Sequence, residues 1–145
     1  MIPPFQPNGY LPPGIHEATW QQAAERLGIN SHRRALLLGL LQALHSLRQS
    51  GCRKIYLDGS FATDKERPGD FDVAWETANV DPRLLNTTLL DFSNRRQAQK
   101  QAFGGELFPA DWEADEHGRT FLEFFQTDQQ AIPKGIIAID LGTLP

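Results

Sequence analysis

The stretch Leu57-Asp58-Gly59-Ser60-Phe61-Ala62-Thr63-Asp64-Lys65-Glu66-Arg67-Pro68-Gly69-Asp70-Phe71-Asp72-Val73 decides the reading of this chain. It begins as the end of an apolar run, Lys54-Ile-Tyr-Leu-Asp58, which predicts a buried strand leading into Gly59-Ser60. A residue without Cβ lets the backbone approach an anion closely, and the following amide and the Ser60 hydroxyl can donate to one. Further on, Asp70 and Asp72 alternate with Phe71 and Val73. Residues two apart on a strand share a face, so both carboxylates point one way and the apolar pair points into the core. Two carboxylates this close repel unless a cation sits between them, and oxygen donors that leave room for water suit Mg²⁺. Lys65 and Arg67, between the two halves, carry the charge to neutralise phosphates.

Outward from this stretch the chain predicts alternating helices and strands. Upstream, Leu37, Leu40, Leu41, Leu44 and Leu47 fall on one helical face, with Asn30 or Ser31 as cap and Gly51 after the end. Residues 16–27 read as a shorter helix stopped by Gly28. Residues 1–15 carry five prolines, with Gly9 and Gly14, and predict an extended arm in front of a single domain over 16–145. Downstream, Phe71–Glu76 is a second strand, and Asp81-Pro82 starts a helical turn. Arg95–Phe103 is a helix closed by Gly104-Gly105, Glu106–Phe108 a short strand, and Thr120–Gln126 a short aromatic helix. Gly135–Leu141, rich in β-branched residues, is a terminal strand. This order predicts an α+β fold, a mixed sheet with helices packed on it.

Composition narrows the function classes. A chain of 145 residues is the size of one domain and buries enough surface for one core. The net charge of −4 argues against extended nucleic-acid binding, which rests on many Lys and Arg contacts to phosphate. The lone Cys52 excludes an internal disulfide, no segment is apolar enough to span a membrane, and Met-Ile-Pro-Pro-Phe lacks the features of a secretory signal; together these predict a cytoplasmic protein. The four histidines show no metal-ligand spacing, and the paired Arg33-Arg34 and Arg95-Arg96 read as solvated helix faces.

The pattern of hydrophobic strand, Gly59-Ser60, a loop, then Asp70-Phe-Asp72-Val resembles the DNA polymerase β-like nucleotidyltransferase superfamily, most strongly over Ile55–Trp75. The chain's size makes it similar to the minimal members found as bacterial antitoxins or phage-defence components. The phrases Leu11-Pro-Pro-Gly-Ile-His16 and Pro133-Lys-Gly-Ile136 are similar to those of a bacterial family of this type. The resemblance implies that Gly59 and Ser60 hold the triphosphate and that Asp70 and Asp72 bind two metal ions with a third carboxylate. For that third position Ile139-Asp140-Leu141 repeats the hydrophobic-acid-hydrophobic pattern, so Asp140 is the expected ligand. Asp91 and Glu106 lack so clear a strand context, and Glu76 lies roughly 13 Å from Asp72 by strand rise.

The implied reaction is Mg²⁺-dependent transfer of a nucleoside monophosphate from a nucleoside triphosphate such as ATP to a hydroxyl of a protein, RNA or small molecule. The chain lacks the helical domain that larger relatives use on base and ribose, so those contacts fall to its own helices, a second copy in a homodimer, or a partner. Asp58, directly before Gly59, places an additional negative charge beside the phosphate loop. The alternative is an inactive nucleotidyltransferase fold kept as an antitoxin or regulatory module that acts on a toxin or defence protein by contact.

Overall fold

A computed structural model describes residues 1–145. The molecule is α+β, with one mixed five-stranded sheet and four α-helices. The strands are β1 (Gly14–Ala18), β2 (Lys54–Asp58), β3 (Phe71–Trp75), β4 (Gly105–Pro109) and β5 (Gly135–Asp140), in the order β1-β5-β2-β3-β4. The helices are α1 (Trp20–Leu27), α2 (Ser31–Gln49), α3 (Ser93–Phe103) and the single turn α4 (Phe121–Phe124). β5 runs parallel to β1 and antiparallel to β2; β2 is antiparallel to β3, and β3 is parallel to β4.

One face of the sheet carries the main core. Ile55, Leu57, Phe71, Val73, Leu107, Ile137 and Ile139 pack there with the leucine stripe of α2 (Leu37, Leu40, Leu44, Leu47) and with Trp20 and Leu27 of α1. Strand alternation sends their neighbours to the other face, where Tyr56, Ala74, Ile136 and Ala138 meet Phe125, Phe121 and Leu122 around α4. β5 is paired on both edges and covered on both faces, so its run of β-branched residues is fully buried up to Ala138-Ile139.

The N-terminal segment departs from expectation. Gly14–Ala18 is an edge strand rather than the end of an arm and the beginning of a helix, so the boundary expected at residue 15/16 falls inside β1. The helix starts later because Thr19 and Gln22 form a capping box, each side chain bonded to the other's backbone amide. Ahead of β1 the segment is docked: Ile2 and Leu11 are buried, and Arg26 donates to the carbonyls of Ile2 and Pro3 while covering the Phe5 ring.

The two phrases around Pro12 and Pro133 meet in space. The Gly135 amide donates to the Leu11 carbonyl at 3.0 Å, and Gly14 pairs with Gly135. A Cβ on Gly135 would stand 2.1 Å from the Pro12 carbonyl oxygen, so only glycine permits this approach. The result fixes the residue just before it, Lys134, at the mouth of β5. No helix is long and apolar enough to cross a membrane.

Candidate active site

Antiparallel pairing sets Asp58 opposite Asp72, and parallel pairing sets Asp72 opposite Glu106. Three adjacent strands therefore carry an acidic residue at the same level. All three occupy the face of Tyr56, Ala74 and Phe108, opposite the main core. Asp70, one step before β3 on the same parity, extends the group. Asp70 and Asp72 thus lie two apart at the start of β3, the spacing that places them on one face. Asp140 does not join them: it pairs with Lys54, four residues before Asp58 on β2, which is roughly 13 Å along the strand. There its carboxylate accepts from the Gly142 amide and caps the final turn. Because β5 enters next to β2 in the antiparallel sense, its last residue lies at the far end of the sheet, and the carboxylates opposite Asp72 on the neighbouring strands are Asp58 and Glu106.

Gly59 is held against this row. Its φ is +83°, and a Cβ there would lie 2.7 Å from Asp72 Oδ2. The Asp72 carboxylate therefore leans over the Gly59 backbone, and glycine is required on both counts. Ser60 follows in a 3₁₀ turn, its carbonyl accepting from Thr63 Oγ1.

The loop that joins the motif halves is pinned by a residue whose side chain was expected to be solvated. Arg33, on the leucine side of α2, is 1% exposed and donates to the carbonyls of Phe61, Thr63, Lys65 and Leu27. Asn30 holds the Glu66 carbonyl, and the His32 ring meets that of Pro68. Lys65 and Arg67 are exposed and stand outside the residues that line the cleft.

A cavity of about 580 Å³ opens on the acidic face. Asp58, Asp72 and Lys134 form part of its lining with Tyr10, Arg119, Phe124 and Asp128. Lys134 grips Asp58 through both carboxylate oxygens, at 3.0 and 3.1 Å, with both side chains largely buried. Tyr10 donates to Asp128 at 2.7 Å, so the N-terminal segment forms one wall.

This chain belongs to a family of unknown function, DUF6932. The match covers residues 3–140 and takes in every strand and helix described above. No curated protein and no solved structure matches the chain.

In this DUF6932 chain the electrostatics centre on Asp72. Burial, reinforced by Asp58, Glu106 and Asp70 and opposed by Lys134, pushes its pKa up to about 7. Burial also raises Asp58, against the pull of Lys134, and raises Asp70, with Glu106 adding to the shift and Lys100 opposing it. Neither Asp70 nor Asp72 is hydrogen-bonded to a protein donor. Glu106, by contrast, is engaged by α3: Lys100 Nζ lies at 2.9 Å and Arg96 at 3.4 Å, with Arg96 stacked over Phe108. Arg96, expected on a solvated face, is the last of three left-handed residues, Asn94–Arg96, that begin α3. Each such residue costs about 1–2 kcal/mol without glycine's freedom.

The side chains as they stand do not converge in a group of three or more Asp, Glu, His or Cys able to hold a metal ion. The donor chemistry fits a hard cation nonetheless: Asp70 and Asp72 are oxygen donors with no protein partner, and burial beside other carboxylates raises the pKa of Asp72, a cost that a cation would offset. Sequence reasoning missed Lys134, Arg119 and Glu106 in its choice of site residues. Lys134 carried a signal, the Pro-Lys-Gly phrase, while Arg119 carried none.

Proposed function

We propose that the chain is a Mg²⁺-dependent nucleotidyltransferase of the nucleotidyltransferase-like fold, with Asp70, Asp72 and Glu106 as its metal-binding carboxylates. The observation that carries this reading is the level of Asp58, Asp72 and Glu106 across β2, β3 and β4, with Asp72 against Gly59 and Asp58 and Asp72 lining the cleft. Bound there, Mg²⁺ supplies charge stabilisation at the phosphate under attack.

The chain's own residues account for the rest. Gly59 and Ser60 offer backbone and hydroxyl donors to the phosphates beside Asp72. Arg119 and Lys134 bring positive charge to the cleft for the β- and γ-phosphates, the task first assigned to Lys65 and Arg67. Arg33 keeps the intervening loop in one shape, so that the phosphate-binding turn is set before substrate arrives. In the reaction the acceptor hydroxyl oxygen forms a bond to the α-phosphorus and the bond to the bridging oxygen breaks. Pyrophosphate leaves with that electron pair, and the hydroxyl proton passes to a carboxylate of the row.

The test is incorporation of label from an α-labelled triphosphate, with Mg²⁺, into protein, RNA and small-molecule hydroxyls. Wild-type incorporation that disappears in Asp70→Ala and Asp72→Ala, both folded, supports the proposal. No incorporation into any acceptor favours the second reading, a module that acts by contact with a toxin or defence protein. That reading draws on exposed apolar side chains, of which Leu90 and Trp112 line one shallow apolar cleft. Under it, the double aspartate variant still neutralises the partner.

A further inference from the structure

We propose that the Tyr10 hydroxyl is an acceptor for nucleotidyl transfer, so that each chain attaches a nucleoside monophosphate to itself, with Asp128 as the base. This rests on the nucleotidyltransferase reading above and names one protein hydroxyl that it serves.

Three observations carry the inference. First, Tyr10 lines the same cleft as Asp72, Arg119 and Lys134, and it is half-buried there. Second, the segment that carries it is tied to the site on both flanks. On one side the Asp64 amide, in the loop between the motif halves, donates to the Gly9 carbonyl at 3.1 Å. On the other the Gly135 amide, one residue after Lys134, donates to the Leu11 carbonyl at 3.0 Å. Third, the Tyr10 hydroxyl donates to Asp128 Oδ2 at 2.7 Å, within the ~2.6–3.2 Å span of a nucleophile on its base. Asp128 Oδ1 accepts from the amides of Gln130 and Ile132, both at 2.9 Å, and these bonds hold the carboxylate in place.

In this transfer the Tyr10 oxygen forms a bond to the α-phosphorus of the triphosphate, and the bond to the bridging oxygen breaks. Pyrophosphate leaves with that electron pair, and the phenolic proton passes to Asp128 Oδ2 rather than to the acidic row. The proton states suit the step. The hydrogen bond to Asp128, followed by burial, raises the Tyr10 pKa, so the hydroxyl is protonated at neutral pH and needs a base. The Ile132 amide, with the Tyr10 hydroxyl, holds the Asp128 carboxylate below its usual range, so it is ionised and able to accept. Asp58, which stands opposite Asp72, is among the charges that reach Tyr10. The product is an aryl phosphodiester on a residue of the cleft wall, so one transfer fills the site and ends the reaction in that chain.

The experiment incubates the full chain with Mg²⁺ and with ATP, GTP, CTP or UTP labelled at the α-phosphate, without added acceptor, and reads intact mass and peptide maps. One nucleotidyl group per chain is expected, on the peptide that holds Tyr10, at a rate per chain that dilution does not change. Tyr10→Phe keeps the ring and loses only the hydroxyl; it is expected to take no label while still binding triphosphate by calorimetry. Asp128→Asn keeps an oxygen for the Gln130 and Ile132 amides and is expected to label on the order of 10²-fold more slowly. Should a variant unfold, the site mapped in wild type decides alone. Label on another residue, label retained by Tyr10→Phe, a rate that falls on dilution, or transfer to added acceptors with none on the chain would overturn the inference and leave nucleotidyl transfer standing. No transfer to any hydroxyl, Tyr10 included, would remove the parent reading and this one together.

Discussion

Asp72 and Glu106 are direct neighbours in parallel register on β3 and β4, although 34 residues separate them in the chain. Asp72 also stands opposite Asp58 on β2, so that three unremarkable local patterns become one acidic row.

Glu106→Gln removes one of the proposed metal-binding carboxylates and is expected to cut metal-dependent transfer by more than the roughly 10–100-fold that outer-shell changes cost. Asp140→Asn is expected to leave transfer at the wild-type level, because Asp140 caps a turn at the opposite end of the sheet. Side-by-side kinetics of the two variants decide between them. An Asp140→Asn variant that loses transfer while Glu106→Gln keeps it would restore Asp140 as the expected ligand.

Gly59→Ala combines a left-handed φ with a contact of 2.7 Å to Asp72 Oδ2. The strain costs about 1–3 kcal/mol, and relief requires the carboxylate to move. Thermal unfolding is expected to show a clear drop in Tm, accompanied by weaker Mg²⁺ binding by calorimetry. An unchanged Tm would show that Gly59 is not held in this conformation.

Arg33→Ala removes a buried cation from four carbonyls of the motif loop and α1. Hydrogen bonds to a charged group are worth about 1.5–3 kcal/mol each, so a loss of about 3 kcal/mol or more is expected in chemical denaturation. Arg33→Lys is expected to recover little, since an ammonium does not span the same fork. Hydrogen exchange over residues 59–70 is expected to rise well above that of β2.

The folded pKa of Asp72, about 7, lies above its unfolded value, so the native protein keeps a proton that the unfolded chain has released. Stability therefore falls as pH rises from about 5 to 7, by at most about 1.4 kcal/mol per unit. Added Mg²⁺ favours the ionised form and is expected to flatten the slope, as is Asp72→Asn. Melting curves in metal-free buffer at pH 5, 6 and 7 check this, and a wild-type slope equal to that of Asp72→Asn would contradict it.

The parts of the site that were legible in the sequence are those whose geometry is local. Gly59, Asp70 and Asp72 stand together because a strand end, a loop and a period of two place them so. The third carboxylate depends on strand order, which no local pattern encodes. Ile139-Asp140-Leu141 matched the expected motif better than Gly105-Glu106-Leu107, yet pairing with β3 belongs to β4. Two other misreadings had a visible signal. Arg33 lies four residues before Leu37 on the same buried stripe, and Thr19-x-x-Gln22 marks a helix start at residue 20. β1 was hidden by its edge position: with polar His16 and Glu17 outside the core, its burial alternates weakly.

The central claim is that Asp70, Asp72 and Glu106 bind a cation for a triphosphate. Calorimetric titration of wild type, Asp72→Asn and Glu106→Gln with non-hydrolysable triphosphates, with and without Mg²⁺, tests it most directly. The account predicts Mg²⁺-dependent binding by wild type that both variants lose while remaining folded. Binding that ignores Mg²⁺, or no binding of any triphosphate by wild type, would contradict it.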